Sequence, residues 1–93
     1  MKDEKKAKIR SEIDRIDRAL LQLLAVRREW SREMGVLKKK LGLPIRDLLR
    51  EKSIMEEITL LGREHGLDEE FLHRIFRVII DDSVQLQIDI FKE

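Results

Sequence analysis

Cysteine is absent from this chain of 93 residues, and proline occurs only once. The lack of cysteine excludes disulfide bonds, thiolate nucleophiles and cysteine metal ligands, and it is compatible with a reducing compartment. Aromatic residues are also few, one Trp and three Phe, and no basic run is interleaved with them as a stacking platform for nucleic acid requires. The net charge is only +1, so no global field of one sign draws the chain to nucleic acid. We therefore expect no nucleic-acid partner.

Long apolar runs are missing as well. The N-terminal stretch MKDEKKAKIR is charged throughout, unlike a signal peptide, and no apolar segment approaches the length that crosses a membrane. A basic face opposite an apolar stripe, which is typical of helices that lie on membrane surfaces, is also lacking. These features predict a soluble cytoplasmic protein with no membrane partner. A chain of this length is expected to form one domain, residues 1–93.

Glycine and proline cluster in two stretches, residues 42–44 and 62–66, and Gly35 stands alone inside a periodic segment. Each of the three segments that result has the apolar periodicity of a helix. Gly66 suits a helix C-terminus and Asp68 an N-cap. We predict an all-α fold of three helices, one very long: from about residue 5 to about residue 40, from Leu48 to about Glu64, and from Glu69 to near Phe91.

An apolar stripe runs along the whole first helix, and we expect it to face the core. A helix of about 36 residues is about 54 Å long, whereas a compact domain of this size is roughly 30 Å across. One chain cannot cover such a helix, so we predict that two copies pack side by side in an interlocked helical homodimer. The stripe recurs in steps of four and three residues at Ile9, Ile13, Ile16, Leu20, Leu23, Arg27, Trp30, Met34, Leu37 and Leu41.

Polar residues interrupt the predicted core faces of all three helices. Lys39 and Lys40 rotate away from the core side and are interpreted as a solvated helix end. In the second helix Ile54, Ile58 and Leu61 indicate the core face, which projects back onto the polar residues at its start. The inward polar residues are Arg27 and Lys38 in the first helix, Asp47, Arg50 and Glu51 at the start of the second, and Ser83 and Gln87 in the third.

Each of these residues also has an ordinary structural interpretation. Asp47 is a good N-cap, and Arg50 with Glu51 suits a surface ion-pair lattice. Ser83 can bond to its own helix and Gln87 can bridge helices, while a buried arginine can set the register of a coiled coil. Taken together these interpretations are less favourable, because several unpaired buried cations each cost several kcal/mol. The surplus of cations and donors suits a small dianionic ligand.

Arg10 flanks the stripe about 25 Å from Arg27 along the same helix. In an antiparallel dimer the start of one long helix passes the middle of the other, so Arg10 is expected to complete the partner's site. No nucleophile triad, phosphate loop or metal-ligand cluster is found in the sequence, and we expect no metal. His65 and His73 are interpreted as structural, at a helix end or partly buried. Such a site can hold a shape and stabilise charge without covalent or redox chemistry.

The segments IRSEIDRIDRALLQLLAVRR, PIRDLLREK and IIDDSVQLQ carry a resemblance over nearly the whole chain. The sequence resembles the small all-helical chorismate mutases of aromatic amino-acid biosynthesis. The shared features are an Arg in the first segment, an Arg in the LLAxR stretch, a Lys before the turn, and the motifs P-x-R-D-x-x-R-E and S-x-x-x-Q. The resemblance implies an interlocked helical homodimer with two sites. It also implies that Arg10 of one protomer and Arg27 of the other bind the substrate carboxylates, and that Lys38 and Gln87 donate to the ether oxygen.

The same resemblance implies roles for the residues of the second and third helices. Glu51 would accept from the substrate hydroxyl beside the backbone amide of Asp47. Arg50 and Ser83 would contribute to carboxylate binding and to ordering of the site, and the Asp47 side chain would support them. The implied reaction is the Claisen rearrangement of chorismate to prephenate, which needs no cofactor and lies on the route to phenylalanine and tyrosine. Expected catalytic residues are Arg27, Lys38, Glu51 and Gln87.

Two other functions remain open at this point. An isochorismate-pyruvate lyase shares the fold and much of the cationic site, and only family analogy in the RDLLRE stretch favours the mutase. A non-catalytic helical dimer, a scaffold or a regulatory subunit, would keep the polar residues of the stripe as registry. Assays with chorismate and with isochorismate separate these possibilities.

Overall fold

The computed structural model describes all of residues 1–93, which form three helices and no strand. The helices are α1 (Lys2–Leu41), α2 (Leu48–Glu64) and α3 (Glu69–Phe91). The predicted all-α fold with one very long helix is confirmed, and the predicted bounds of α2 and α3 agree with the structure. None of the three helices combines the length and the apolar composition that a membrane span needs.

Aspartate side chains cap the N-termini of α2 and α3. The Asp47 carboxylate accepts a hydrogen bond from the amide of Arg50 at 2.9 Å, and the Asp68 carboxylate accepts one from the amide of Phe71 at 3.2 Å. Each carboxylate satisfies an amide that has no partner within its helix, and its negative charge suits the positive end of the helix dipole. The predicted capping roles of both aspartates are confirmed.

Glycine residues close the C-termini of α1 and α2. Gly42 has a φ of 69° and Gly66 a φ of 66°, in the left-handed region where a side chain is unfavourable. The amide one residue beyond each glycine donates to a carbonyl five residues earlier: Leu43 to Lys38 at 2.9 Å, and Leu67 to Gly62 at 2.8 Å. This Schellman arrangement turns the chain sharply at the end of each helix, and it brings the 43–47 stretch back beside the end of α1.

The chain divides into two compact units, Met1–Trp30 and Ser31–Glu93. The first unit consists of the N-terminal part of α1. Its apolar stripe is exposed in the single chain, with Leu23 at 67% and Trp30 at 70% of their full accessibility. Apolar side chains this exposed along one face indicate a surface that another surface covers.

In the second unit α2 and α3 enclose a small core. Leu72 and Ile80 of α3 are its buried apolar side chains, and Gly62 of α2 lies directly against Leu72. A Cβ atom at Gly62 would come within 2.1 Å of Leu72 Cδ1, so a side chain at this position would force the buried Leu72 side chain to shift.

The last part of α1, residues 31–41, does not turn its apolar stripe to the core of this unit. Ser31 and Gly35 are buried and Lys38 is half-buried, whereas Met34 and Leu37 are exposed. The expectation that the stripe faces the core is therefore not met within the single chain. The small residues Ser31 and Gly35 allow the backbones of α1 and α3 to approach closely. The stripe lies about 100° around the helix from Gly35, so it does not face α3.

Lys39 is exposed, as predicted for a solvated helix end. Its ammonium also donates to the backbone carbonyl oxygens of Ile90, at 3.2 Å, and Glu93 near the end of α3. A cation at this position suits the negative end of the α3 dipole. The contact ties the C-terminal ends of α1 and α3 together.

Candidate active site

Lys38 and Gln87 meet where α1 packs on α3, although 49 residues separate them in sequence. The Lys38 ammonium donates to Gln87 Oε1 at 2.8 Å and to the backbone carbonyl of Ile45 at 2.6 Å. An ammonium group has three donors, so one N–H of Lys38 remains for a ligand. The Gln87 amide nitrogen makes no hydrogen bond within the chain, which leaves two further donors beside it.

Ser83 lies one turn before Gln87 on α3. Its hydroxyl is 2.9 Å from the Ser31 hydroxyl of α1 and donates to the carbonyl of Ile79 at 3.2 Å. The bond to its own helix is the ordinary interpretation that the sequence allowed, and the contact with Ser31 was not predicted. Ser83 thus belongs to the same contact between α1 and α3 as Lys38 and Gln87.

Glu51 is the buried carboxylate of this unit, with only 11% of its side chain accessible. Arg46 holds it with two bonds, Nε to Oε2 at 3.1 Å and Nη2 to Oε1 at 2.7 Å, and Arg77 Nη1 donates to Oε1 at 3.2 Å. Asp81 Oδ1 accepts from both arginines at 3.4 Å. We call Arg46, Glu51, Arg77 and Asp81 the charge cluster.

The charge cluster sets the ionisation of Glu51. Hydrogen bonds and charge from Arg46, and then from Arg77, hold the pKa of the Glu51 carboxyl below its usual value, against the opposing effect of burial. The carboxylate in turn raises the pKa of Arg46. Each carboxylate oxygen accepts about two hydrogen bonds. Oε2 receives only one from the chain, so it keeps room for a further donor.

Arg50 does not lie where the sequence placed it. The sequence put Leu61 on the core face of α2, but in the structure Gly62 is buried and Leu61 is exposed. Eleven residues make close to three whole turns, so Arg50 shares the orientation of Leu61 and Glu51 that of Gly62. Arg50 is accordingly exposed in the single chain, and the prediction that it points inward with Glu51 is wrong there. Asp47 is exposed as well and acts as the N-cap described above.

The two predicted arginines of α1 belong to the first unit. Arg10 is exposed and Arg27 is half-buried. Arg10 makes no ion pair or hydrogen bond within the chain, whereas Arg27 interacts with another group of the chain. The second unit therefore brings together Lys38, Ser83 and Gln87, with Glu51 held separately by the charge cluster.

One peptide unit connects these groups. The carbonyl of Ile45 accepts from Lys38 and the side chain of the next residue, Arg46, holds Glu51. An open concave surface beside this peptide is lined by Lys38, Leu43, Pro44, Arg46, Asp47, Leu48 and Leu49. Donors beside an anchored carboxylate, with no nucleophile among them, are equipped to bind an oxygen-rich anion and to stabilise charge that develops on it.

Sequence reasoning gave no role to three members of the charge cluster, Arg46, Arg77 and Asp81. Arg46 stands inside the P-x-R-D-x-x-R-E motif, but it lies in the turn, where no periodicity predicts a direction. Arg77 and Asp81 are one helical turn apart on α3, and that spacing was the available signal. The histidines agree with their structural interpretation: His65 is the C-cap of α2, and His73 is half-buried with its Nε2 at 2.8 Å from the Thr59 hydroxyl.

Comparisons with known proteins match most of the chain. The family described as chorismate mutase type II matches residues 9–88. The chain is 39% identical over 90 residues to a chorismate mutase of Methanocaldococcus jannaschii. The aligned region covers 97% of this chain and 91% of that protein. It is 42% identical over 79 residues to a bifunctional chorismate mutase/prephenate dehydratase of Escherichia coli, and this aligned region covers 85% of this chain and 20% of that protein. The chain thus spans nearly all of the first relative and about a fifth of the second.

Proposed function

Because this chain belongs to the chorismate mutase type II family, we propose that it catalyses the rearrangement of chorismate to prephenate, as a cofactor-independent isomerase of aromatic amino-acid biosynthesis. The observation that carries the proposal is the 2.8 Å contact between Lys38 and Gln87. This contact supports the proposal because hydrogen-bond donors lie together in one small region without a nucleophile. A unimolecular rearrangement in which negative charge builds up on oxygen needs such donors.

Lys38 and Gln87 donate to the ether oxygen of the substrate in this proposal. Negative charge grows on that oxygen as the C–O bond breaks, so donors that are already oriented stabilise the transition state more than the ground state. The Lys38 N–H that is unused within the chain and the Gln87 amide nitrogen are available for this. The bond of Lys38 to the Ile45 carbonyl holds the ammonium in place before the substrate arrives.

The remaining predicted residues bind the periphery of the substrate. Arg27 pairs with one substrate carboxylate, and Arg10 of a second protomer pairs with the other, because planar guanidinium groups match carboxylates with two parallel bonds.

Glu51 accepts from the substrate hydroxyl through Oε2, beside the backbone amide of Asp47. Ser83 orders the contact between α1 and α3. Arg50 reaches a carboxylate only if the bound state turns its side chain toward the site. Together these contacts hold the substrate in a compact chair-like conformer.

A symmetric homodimer completes this proposal. The exposed stripe of α1 supports it, since side chains such as Leu23 and Trp30 offer a second copy an extended apolar surface. The open form of the concave surface beside Lys38 also fits a site that a second chain closes. A cytoplasmic location stays a prediction.

Replacing the two proposed donors tests the mechanism. We expect Lys38→Ala and Gln87→Ala each to lower kcat for chorismate by about 10²-fold or more, the usual effect of removing a donor to a developing oxyanion. The loss of chorismate absorbance measures kcat, and circular dichroism checks that the helices persist.

Lys39→Ala is the matched control. It removes a neighbouring lysine that also ties α1 to α3, but through backbone carbonyls at the end of α3. We expect it to keep wild-type kcat. Wild-type turnover in both Lys38→Ala and Gln87→Ala would refute the proposed mechanism.

The lyase remains the second candidate, because the same cationic residues suit isochorismate. Separate incubations with chorismate and with isochorismate decide between them: prephenate from the first supports the mutase, whereas salicylate and pyruvate from the second support the lyase. A chain that consumes neither substrate would favour the non-catalytic helical dimer.

A further inference from the structure

Gly35 lies in the interior of α1, before the last turn of the helix, which ends at Leu41. Glycine is among the least favourable residues at such a position, because it costs backbone entropy and adds no packing. It is also buried, so neither a turn nor solvent exposure accounts for it. A glycine with no role in helix formation here points to a close contact with another element.

Gln87 is that contact. A Cβ atom added to Gly35 would lie 3.2 Å from both Cα and Cγ of Gln87, and 3.4 Å from its Cβ. The first of these is a backbone atom, so it cannot rotate away as the end of a side chain can. An alanine at position 35 would displace this part of α3 from α1 by a few tenths of an ångström.

The polar contacts on either side show what depends on this approach. The Ser31 and Ser83 hydroxyls meet at 2.9 Å one turn before Gly35 on α1, and Lys38 meets Gln87 at 2.8 Å one turn after it. The three residues of α1 lie at i, i+4 and i+7, on one face of the helix. Gly35 therefore lies between two hydrogen bonds that each cross from α1 to α3.

We propose that Gly35 is a positioning residue of the active site: its missing side chain sets the spacing of α1 and α3 at which the Lys38 ammonium and the Gln87 amide are presented together. The inference rests on the proposed function for its catalytic consequence. Gly35 touches no reacting atom and acts only through Gln87. Its effect on the spacing is independent of which substrate the site binds.

Gly35→Ala is the test. We expect kcat for chorismate to fall about fivefold, because donors misplaced by a few tenths of an ångström lose part of the stabilisation that depends on exact geometry. KM should change less than kcat. The midpoint of thermal unfolding should stay within about 5 °C of wild type, since alanine favours the helix while the contact with Gln87 is strained.

Gly62→Ala is the matched control, because Gly62 is the other buried glycine within a helix. Its added Cβ would meet Leu72 Cδ1 at 2.1 Å, away from Lys38 and Gln87. We expect this variant to lose thermal stability but to keep wild-type kcat at temperatures where it is folded. Gly35→Ala should thus lower activity with little change in stability, and Gly62→Ala should lower stability with no change in activity.

A double-mutant cycle isolates the route through Gln87. In a Gln87→Ala background, the further change Gly35→Ala should lower kcat less than twofold, because the side chain that Gly35 positions is gone. Equal effects of Gly35→Ala in both backgrounds would contradict the inference. So would wild-type kcat in Gly35→Ala, or a Gly35→Ala chain that no longer folds.

A readout that does not depend on activity separates this inference from the proposed function. In the NMR spectrum the side-chain amide resonances of Gln87 should shift in Gly35→Ala and stay in place in Gly62→Ala. If the wild-type chain leaves chorismate unchanged while these resonances shift as expected, the proposed function fails and the positioning role stands. Unshifted resonances in Gly35→Ala would overturn the positioning role.

Discussion

Glu51 illustrates at the residue scale how neighbours define a functional group. A carboxylate with 11% of its side chain accessible loses hydration on folding, and that loss alone raises a carboxyl pKa. The bidentate bond from Arg46 and the bond from Arg77 outweigh this effect, so the pKa of Glu51 is lowered. Glu51 therefore stays an acceptor at neutral pH, as the proposed contact with a substrate hydroxyl requires.

The lowered pKa predicts a pH-dependent contribution of Glu51 to stability. Because the folded pKa lies below the unfolded one, the ionised carboxylate favours the folded state above the unfolded pKa, and the effect is lost as the pH falls through the folded pKa. We expect Glu51→Gln to lower the unfolding midpoint by about 5 °C at pH 7. The difference should shrink steadily as the pH falls below the usual glutamate range, which scanning calorimetry at several pH values measures.

Glu57→Gln is the control for this prediction, because Glu57 is an exposed glutamate of the same helix without an ion pair. It makes the same change of charge and should leave the midpoint nearly unaltered at every pH. A Glu51→Gln difference that stays constant from pH 7 to low pH would show that packing, and not ionisation, is responsible.

Among the elements, α2 and α3 begin with matching N-caps. Asp47 and Asp68 cap α2 and α3 in the same way, because each carboxylate accepts a hydrogen bond from the amide three residues on. The two caps differ in whether the first turn that follows them carries a proposed site residue. The first turn of α2 carries Glu51 and lies beside the backbone amide proposed to meet the substrate, whereas the first turn of α3 carries no proposed site residue.

This difference predicts a matched pair of variants. Asp47→Ala and Asp68→Ala should each lower the free energy of unfolding by about 1 kcal/mol, the usual effect of removing an aspartate cap. Only Asp47→Ala should also lower kcat/KM for chorismate, because the start of α2 then frays beside the site. Denaturant titration and steady-state kinetics measure the two effects, and an equal loss of kcat/KM in Asp68→Ala would contradict this separation.

At the scale of the whole molecule, the exposed stripe and the unpaired Arg10 lead to the proposed homodimer. If each site takes Arg10 from one protomer and Arg27 from the other, then Arg10→Ala and Arg27→Ala dimers each lack one arginine in both sites. A mixed dimer of the two variants contains one intact site and one site that lacks both arginines. This arrangement is a consequence of the two-fold symmetry alone.

Mixing the two variants therefore tests the exchange directly. Each pure variant should have low activity with chorismate. Unfolding and refolding them together in equal amounts should restore about a quarter of wild-type activity, since half of the dimers are mixed and each has one of two sites intact. Absence of restored activity would show that Arg10 does not serve the partner's site, and size-exclusion chromatography would show whether the dimer forms.

The helices of this protein follow from local features of its sequence. Apolar periodicity and the placement of glycine and proline are local signals, and they predicted α2 and α3 with their bounds and the caps Asp47 and Asp68. The motifs carried the resemblance to the family, and they singled out Lys38 and Gln87 as a pair before any contact was known.

Which faces of these helices are buried depends on how the helices pack against one another. The direction of a face changes by about 100° per residue, so taking Leu61 instead of Gly62 for the core of α2 turned Arg50 inward in the prediction. Gly35 and Arg46 gave no periodic signal, because one acts by the absence of a side chain and the other lies in a turn. Their roles depend on where α3 lies, and contacts between residues distant in sequence set that position.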